Sequence, residues 1–265
     1  MRTRVLLVVG FSMAILSLPV VLSSLAIESA PPDTELPPME LGQLALVSGL
    51  TALFLVGLGA LGRALTRRVP LATRWWGPAR AYPATALAAV GASIIGGSSA
   101  HLIGLDFGEG YSFLTDSVGQ LDGPQLLATC TVLALFPALS EELFFRGWML
   151  GTLRAVVSPS AALFASAAAF ACMHGTPGHA WATFPIGLVL GFAVLRTQAL
   201  GPAVFAHAFN NFVAVAAADT PAELASTDAL ASLGLGLLLL SLGLAGLRGS
   251  LPVEADEAAT EPAPS

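Results

Sequence analysis

The sequence predicts an all-α fold: a polytopic membrane helix bundle with about eight transmembrane helices. Three observations lead there. The 265 residues are 55% hydrophobic and only 11% charged, far from the balance of an average soluble domain. The chain divides into about eight apolar stretches, most near the ~20 residues that cross a bilayer as a helix. The charges are sorted by loop, as in a chain threaded through a membrane. The alternating strands of about ten residues that mark a membrane barrel are absent.

Taken in order, the spans run over roughly 5–27, 41–62, 82–105, 125–150, 159–176, 181–198, 200–218 and 228–247. Arg2 and Arg4 precede the first. Its apolar run exceeds the ~15 residues at the top of the usual signal-peptide range, so an uncleaved span is expected. The proline-rich loop Ser29–Pro38 is expected to be irregular. The second loop carries Arg63, Arg67, Arg68, Arg74 and Arg80 with Trp75 and Trp76. That cluster reads as a topology anchor, not as a nucleic-acid patch. The Asp106–Gly123 loop holds Tyr111 and Phe113 and is expected to fold onto the outer face. Small residues in Ser166–Ala169 and Ala214–Ala218 argue for close helix approach. Cys130 and Cys172 both fall inside predicted spans and read as small core residues, not as a disulfide. Residues 1–248 form one membrane domain with a catalytic core at about 125–215; the acidic, Ala/Pro-rich tail 249–265 is expected to be disordered.

Lysine is absent, so arginine carries every strong positive charge. Arginines stand before the first span, in the second loop, and at Arg154, Arg196 and Arg248 after even-numbered spans. The first loop (Glu28, Asp33, Glu35, Glu40) and the third (Asp106, Glu109, Asp116, Asp122) contain acids and no arginine. Both termini and the even loops are therefore expected in the cytoplasm. The lysine-free, alanine- and arginine-rich composition suggests a bacterial chain, hence the inner membrane.

The chemistry is expected in the fourth span. Glu141 and Glu142 lie side by side in an otherwise apolar stretch. Each such group costs roughly 3 kcal/mol on insertion scales, so the pair is a functional-site hypothesis by default. Glu142 and Arg146 are four apart and share a helix face, with the carboxylate on the favourable N-terminal side; an ion pair there lowers the cost of both charges. Glu141 lies about 100° round the helix and has no such partner. Pro137, four residues before Glu141, is expected to kink the helix and free the Leu133 carbonyl. The fifth span brings Phe170 and His174 on one face, and the seventh His207 and Asn211. Three helices can thus aim Glu141, His174, His207 and Asn211 at one cavity. His101 near a span end and His179 in a Gly/Pro loop read as interfacial, Phe170 as core packing, and Asn210 as pointing away from Asn211 and structural. Amide hydrolysis needs a base for water, a proton donor for the leaving amine and donors for the oxyanion. Glu141 and His174 can serve the first two needs; His207 and Asn211 can serve the third.

The motifs Glu141-Glu142-x-x-x-Arg146, Phe170-x-x-x-His174 and His207-x-x-x-Asn211, in that order on separate helices, resemble the CPBP family. These are the CAAX prenyl-protease type II and the bacteriocin-processing or Abi-type intramembrane endopeptidases. The resemblance covers about residues 125–215. It implies an eight-helix bundle, peptide-bond hydrolysis, water activation by Glu141 with His174, and oxyanion stabilisation by His207 with Asn211. It implies a metal-independent glutamic-type protease, hence no cofactor, acting on a membrane-associated or exported protein or peptide. Three other readings stay open. Glu141, His174 and His207 could hold Zn2+ with the second Glu as base, although the compact H-E-x-x-H helix motif is absent. A carboxylate–histidine chain could relay protons in a transporter, against which stands the absence of internal repeats. The same fold could also serve as a non-catalytic scaffold or immunity protein.

Overall fold

In the computed structural model, residues 2–28, 41–66, 74–107, 123–216 and 229–248 are described. They form eight helices in chain order: α1 (Arg2–Glu28), α2 (Leu41–Leu65), α3 (Ala81–Leu102), α4 (Gly123–Arg154), α5 (Pro159–Cys172), α6 (Pro177–Thr197), α7 (Gly201–Ala216) and α8 (Ala229–Arg248). Among the described residues, the only β pairing is an isolated parallel bridge between Arg74 and Ala199. The sequence segments read as an irregular loop at 29–38 and a disordered tail at 249–265 lie outside the described residues, as does most of the 106–123 loop.

Among the described residues, five helices are long and apolar enough to cross a membrane: α3, α4, α6, α8 and residues Ala45–Leu65 of α2. Leucines and other large apolar side chains stay exposed on them, among them Leu53 on α2, Leu135 on α4, and Leu235, Leu238 and Leu242 on α8. Such a surface is unfavourable in water and natural against lipid tails. This is an integral membrane protein. The expectation of about eight spans is met in helices but not in lengths. Helix α5 has 14 residues and α7 has 16, so at 1.5 Å per residue they extend about 21 and 24 Å. The hydropathy of the sequence runs on past their ends, whereas the backbone turns at Gly175, whose φ is +85°.

Two cores flank the site. Leu55 and Leu58 of α2 pack with Phe144, Phe145, Trp148 and Met149 of α4 and with Phe170 of α5. Ala88, Ala89 and Ala92 of α3 pack with Ile186, Val189 and Leu190 of α6 and with Ala203 and Ala206 of α7. Helix α4 meets α2 on one side and α7 on the other, while α3 meets α6, α7 and α8. The small residues expected to permit close approach do so between α5 and α6. A Cβ on Gly187 would stand 3.1 Å from the Ala167 Cβ.

Local signals set the helix ends. Pro159 at the start of α5 follows Ser158, whose hydroxyl accepts from Ala161 N at 3.2 Å. Pro177 at the start of α6 follows Thr176, whose hydroxyl accepts from His179 N at 3.3 Å. Both are capped starts with proline where its missing N–H costs nothing. The Thr176 hydroxyl donates to Phe107 O at 3.0 Å, and Gly178 N donates to Asp106 O. These bonds fasten the start of α6 to the chain leaving α3.

Candidate active site

Helix α4 carries Pro137 in its interior and widens into a π-helical turn over Phe145–Leu150. A π-turn inserts one extra residue into the helix and is frequent at functional sites. Here it begins three residues after Glu142. Nothing in the sequence flagged this feature, because Phe145-Arg146-Gly147-Trp148 keeps ordinary helix composition.

Glu142 is completely buried, and so is its partner. Arg146 Nη1 donates to Glu142 Oε1 at 2.7 Å, the i,i+4 pair expected from spacing. Arg146 Nη2 donates to Gly187 O of α6 at 3.0 Å, and the guanidinium lies 4.5 Å from the centre of the Phe170 ring. A buried ion pair is tolerated when hydrogen bonds and geometry use its remaining valences; the arginine does this in part, across three helices, while its Nε and Glu142 Oε2 have no hydrogen-bond partner among the described residues.

His207 of α7 sits between the two carboxylates. Its Nδ1 is 2.9 Å from Glu142 Oε1; since the ion-paired carboxylate accepts, Nδ1 carries the hydrogen. Its Nε2 is 3.7 Å from Glu141 Oε2. Glu141 is 7% exposed, and that Oε2 has no hydrogen-bond partner among the described residues.

His174 follows α5, and its Nδ1 donates to Phe170 O at 2.9 Å. The carbonyl can only accept, so Nε2 is left free as an acceptor. The rings of His174 and His207 both meet the edge or face of Phe170, at 4.9 and 5.5 Å between centres. Phe170, read from the sequence as core packing, is buried as expected and also spaces the two imidazoles. No hydrogen bond or ion pair joins Glu141 to His174 among the described residues. The glutamate's histidine neighbour is His207.

A cavity of about 690 Å³ opens beside this cluster. His174, His207, Asn210 and Asn211 line it, together with Ser93, Gly97, Ser98 and His101 of α3 and His179 and Thr183 of α6. Glu141 is not among its lining residues and is 3.7 Å from one of them, His207. All four histidines of the chain face this one cavity.

Several sequence expectations change here. Asn210, expected to point away, is buried and lines the cavity. The helix explains why: residue i+3 lies about 60° from His207 on one side, as i+4 lies about 40° on the other. His179 stands in the first turn of α6, not in a loop, and His101 in the last turn of α3. Cys130 is buried as expected, whereas Cys172 is exposed. The i+3 relation was a signal available for Asn210. His101 and His179 had none, because only the α3–α6 contact brings them to the cavity.

No group of three or more His, Cys, Asp or Glu side chains among the described residues is arranged to hold a metal ion. The set Glu141, His174 and His207 does not converge in that way here.

No curated protein and no solved structure matches the chain. A family model described as Rce1-like, Type II CAAX prenyl endopeptidase Rce1-like, matches residues 123–213. The matched stretch contains Glu141, Glu142, Arg146, Phe170, His174, His207 and Asn211, the residues that carry the motif resemblance. Over 123–213 the chain is therefore similar to a family of membrane endopeptidases, the type II CAAX prenyl, Rce1-like proteins.

Proposed function

We propose that this chain is an intramembrane endopeptidase that hydrolyses a peptide bond in a membrane-associated or exported protein or peptide. The observation that carries the reading is the buried Glu141 carboxylate, with an unpartnered oxygen 3.7 Å from the ring of His207 at the wall of a large cavity that four histidines line. A carboxylate kept in lipid at such cost needs a use.

In this reading a cavity water is oriented by the free Nε2 of His174 and gives its proton to Glu141. Its oxygen bonds to the substrate carbonyl carbon, and the C=O electron pair moves to oxygen. His207 and Asn211 donate to that oxyanion. When the intermediate collapses, the C–N bond breaks and the proton from Glu141 goes to the leaving amine. Glu142 does not react. It holds His207 by the Nδ1 bond, so that Nε2 faces Glu141 and the cavity, much as a carboxylate orients a catalytic imidazole elsewhere. The reaction is of the glutamic type and needs no cofactor. The bacterial inner membrane is its proposed location.

The test uses a pool of short, apolar, internally quenched peptides with purified protein in lipid nanodiscs. Glu141→Gln keeps size and removes the base, and should lower turnover by roughly 10²-fold or more while the protein still inserts. Full cleavage by Glu141→Gln would falsify the assignment.

A further inference from the structure

Gly96 and Gly97 are neighbours on α3 with opposite surroundings. A Cβ on Gly96 would run into the Ala182 main chain of α6, so glycine is needed there for the helices to touch. A Cβ on Gly97 would meet nothing within 4 Å. Packing therefore gives no reason for glycine at 97, although glycine inside a helix costs about 0.5–1 kcal/mol relative to alanine. Gly97 faces the cavity, and the missing side chain is cavity width.

Asn210 walls the same cavity from α7. It is 7% exposed, and its carboxamide makes no hydrogen bond to any described residue. A carboxamide presents both a donor and an acceptor, and with no partner among the described residues this one is open to pair with whatever occupies the cavity. Within a polypeptide substrate, the main-chain amide is the group that answers both ends at once. A polypeptide drawn out for hydrolysis offers one at every residue, because its main chain has lost its own helical bonds.

We propose that Gly97 and Asn210 form a subsite for the substrate main chain beside the scissile bond. Asn210 pairs with one peptide group and Gly97 leaves the width for the extended chain to pass. The subsite rests on the endopeptidase reading above and names its substrate form, an unwound segment of polypeptide. Asn210 is a binding residue, distinct from His207 and Asn211 at the reacting carbonyl.

The experiment compares wild type, Gly97→Leu, Asn210→Leu and Asn210→Gln on the peptide of the pool that wild type cuts fastest. The hydrogen bond is made equally before and during reaction, so its loss should raise KM and spare kcat. Asn210→Leu should raise KM about tenfold with kcat within about twofold. Asn210→Gln, which keeps the carboxamide, should recover part of that loss. Gly97→Leu should match the wild-type melting temperature and raise KM at least as much. An unchanged KM in folded Gly97→Leu, or a fall confined to kcat in Asn210→Leu, overturns the proposal. Should Asn210→Leu not fold, Gly97→Leu decides alone. Fluorescence anisotropy of the same peptide on Glu141→Gln protein, with and without Gly97→Leu, reads binding without cleavage. A weaker Kd is expected in the double variant, and an equal Kd refutes the subsite. Cleavage by Glu141→Gln itself would instead remove Glu141 as the base, and no cleavage of any peptide by wild type would remove the endopeptidase reading; either leaves the binding result standing.

Discussion

Arg146 joins three helices through one guanidinium. It holds Glu142 Oε1 at 2.7 Å on its own helix and Gly187 O at 3.0 Å on α6, and it covers the Phe170 ring of α5. Arg146→Ala strands a buried carboxylate, an error that costs about 3–5 kcal/mol. Its melting temperature in nanodiscs should fall well below wild type, and His207 should lose its orientation with it. Arg146→Lys should restore little, because an ammonium cannot span both acceptors with a planar fork. Adding Glu142→Gln to Arg146→Ala should recover stability, since the stranded charge is gone; simple additivity of the two losses would mean that the pair does not act as a unit. Metal dependence is decided at the same residues. If Glu141 and His174 activate water directly, chelators leave the purified protein active and elemental analysis finds no stoichiometric zinc. One tightly bound zinc per chain, released in His174→Ala, would move the mechanism to a metal-bound water with the same residues as ligands.

At the level of elements, the site comes from helix period plus two departures from it. The Glu142–Arg146 pair and the shared face of His207 and Asn211 were legible in the sequence, because both follow from a spacing of four. Asn210 was open to the same arithmetic. The partnership of His207 with both glutamates was not, since it depends on how α7 lies against α4. The π-turn after Phe144 and the shortness of α5 and α7 were hidden for a related reason: hydropathy reports what a residue prefers, not where a helix ends. Close packing was better signalled. Gly91 of α3 touches the α8 main chain at Leu240 and Gly236, and Gly243 of α8 touches α3 at Ala84 and Ala88. These small residues allow the helices to meet backbone to backbone, the usual means of association in lipid. Gly91→Leu should therefore force α3 and α8 apart and cost about 1–3 kcal/mol or more. Gly97→Leu, six residues along the same helix, should cost nothing comparable. Thermal melting of the two variants side by side checks the contrast, and equal losses would mean that glycine content alone, not the α8 contact, matters.

Across the whole molecule, arginine and acid mark opposite ends of the bundle. Helix α3 runs from Arg80 toward Asp106, and α6 runs from its contact with Asp106 back to Arg196. At the arginine end, Arg196 Nη2 donates to Arg248 O at 2.8 Å, and Leu200 N donates to Arg74 O. Arg196 and Arg248 are thus neighbours in space, and Arg74 meets the same end of the bundle through Leu200. By the positive-inside rule we propose the cytoplasm for this end. The cavity reaches His101, Phe107 and His179, all at the Asp106 end, so it should admit water and substrate from the outer side. Exported or outward-facing substrates suit that geometry better than cytoplasmic ones. Reporter fusions at Pro32 and Asp116 should register outside, and a fusion after Arg248 inside. A cysteine placed at Ser98, beside the cavity, should react with a membrane-impermeant maleimide added to whole spheroplasts. A fusion after Arg248 that registers outside would break the topology. Labelling at 98 only after the membrane is opened would turn the cavity to the cytoplasm, and with it the side from which the substrate must come.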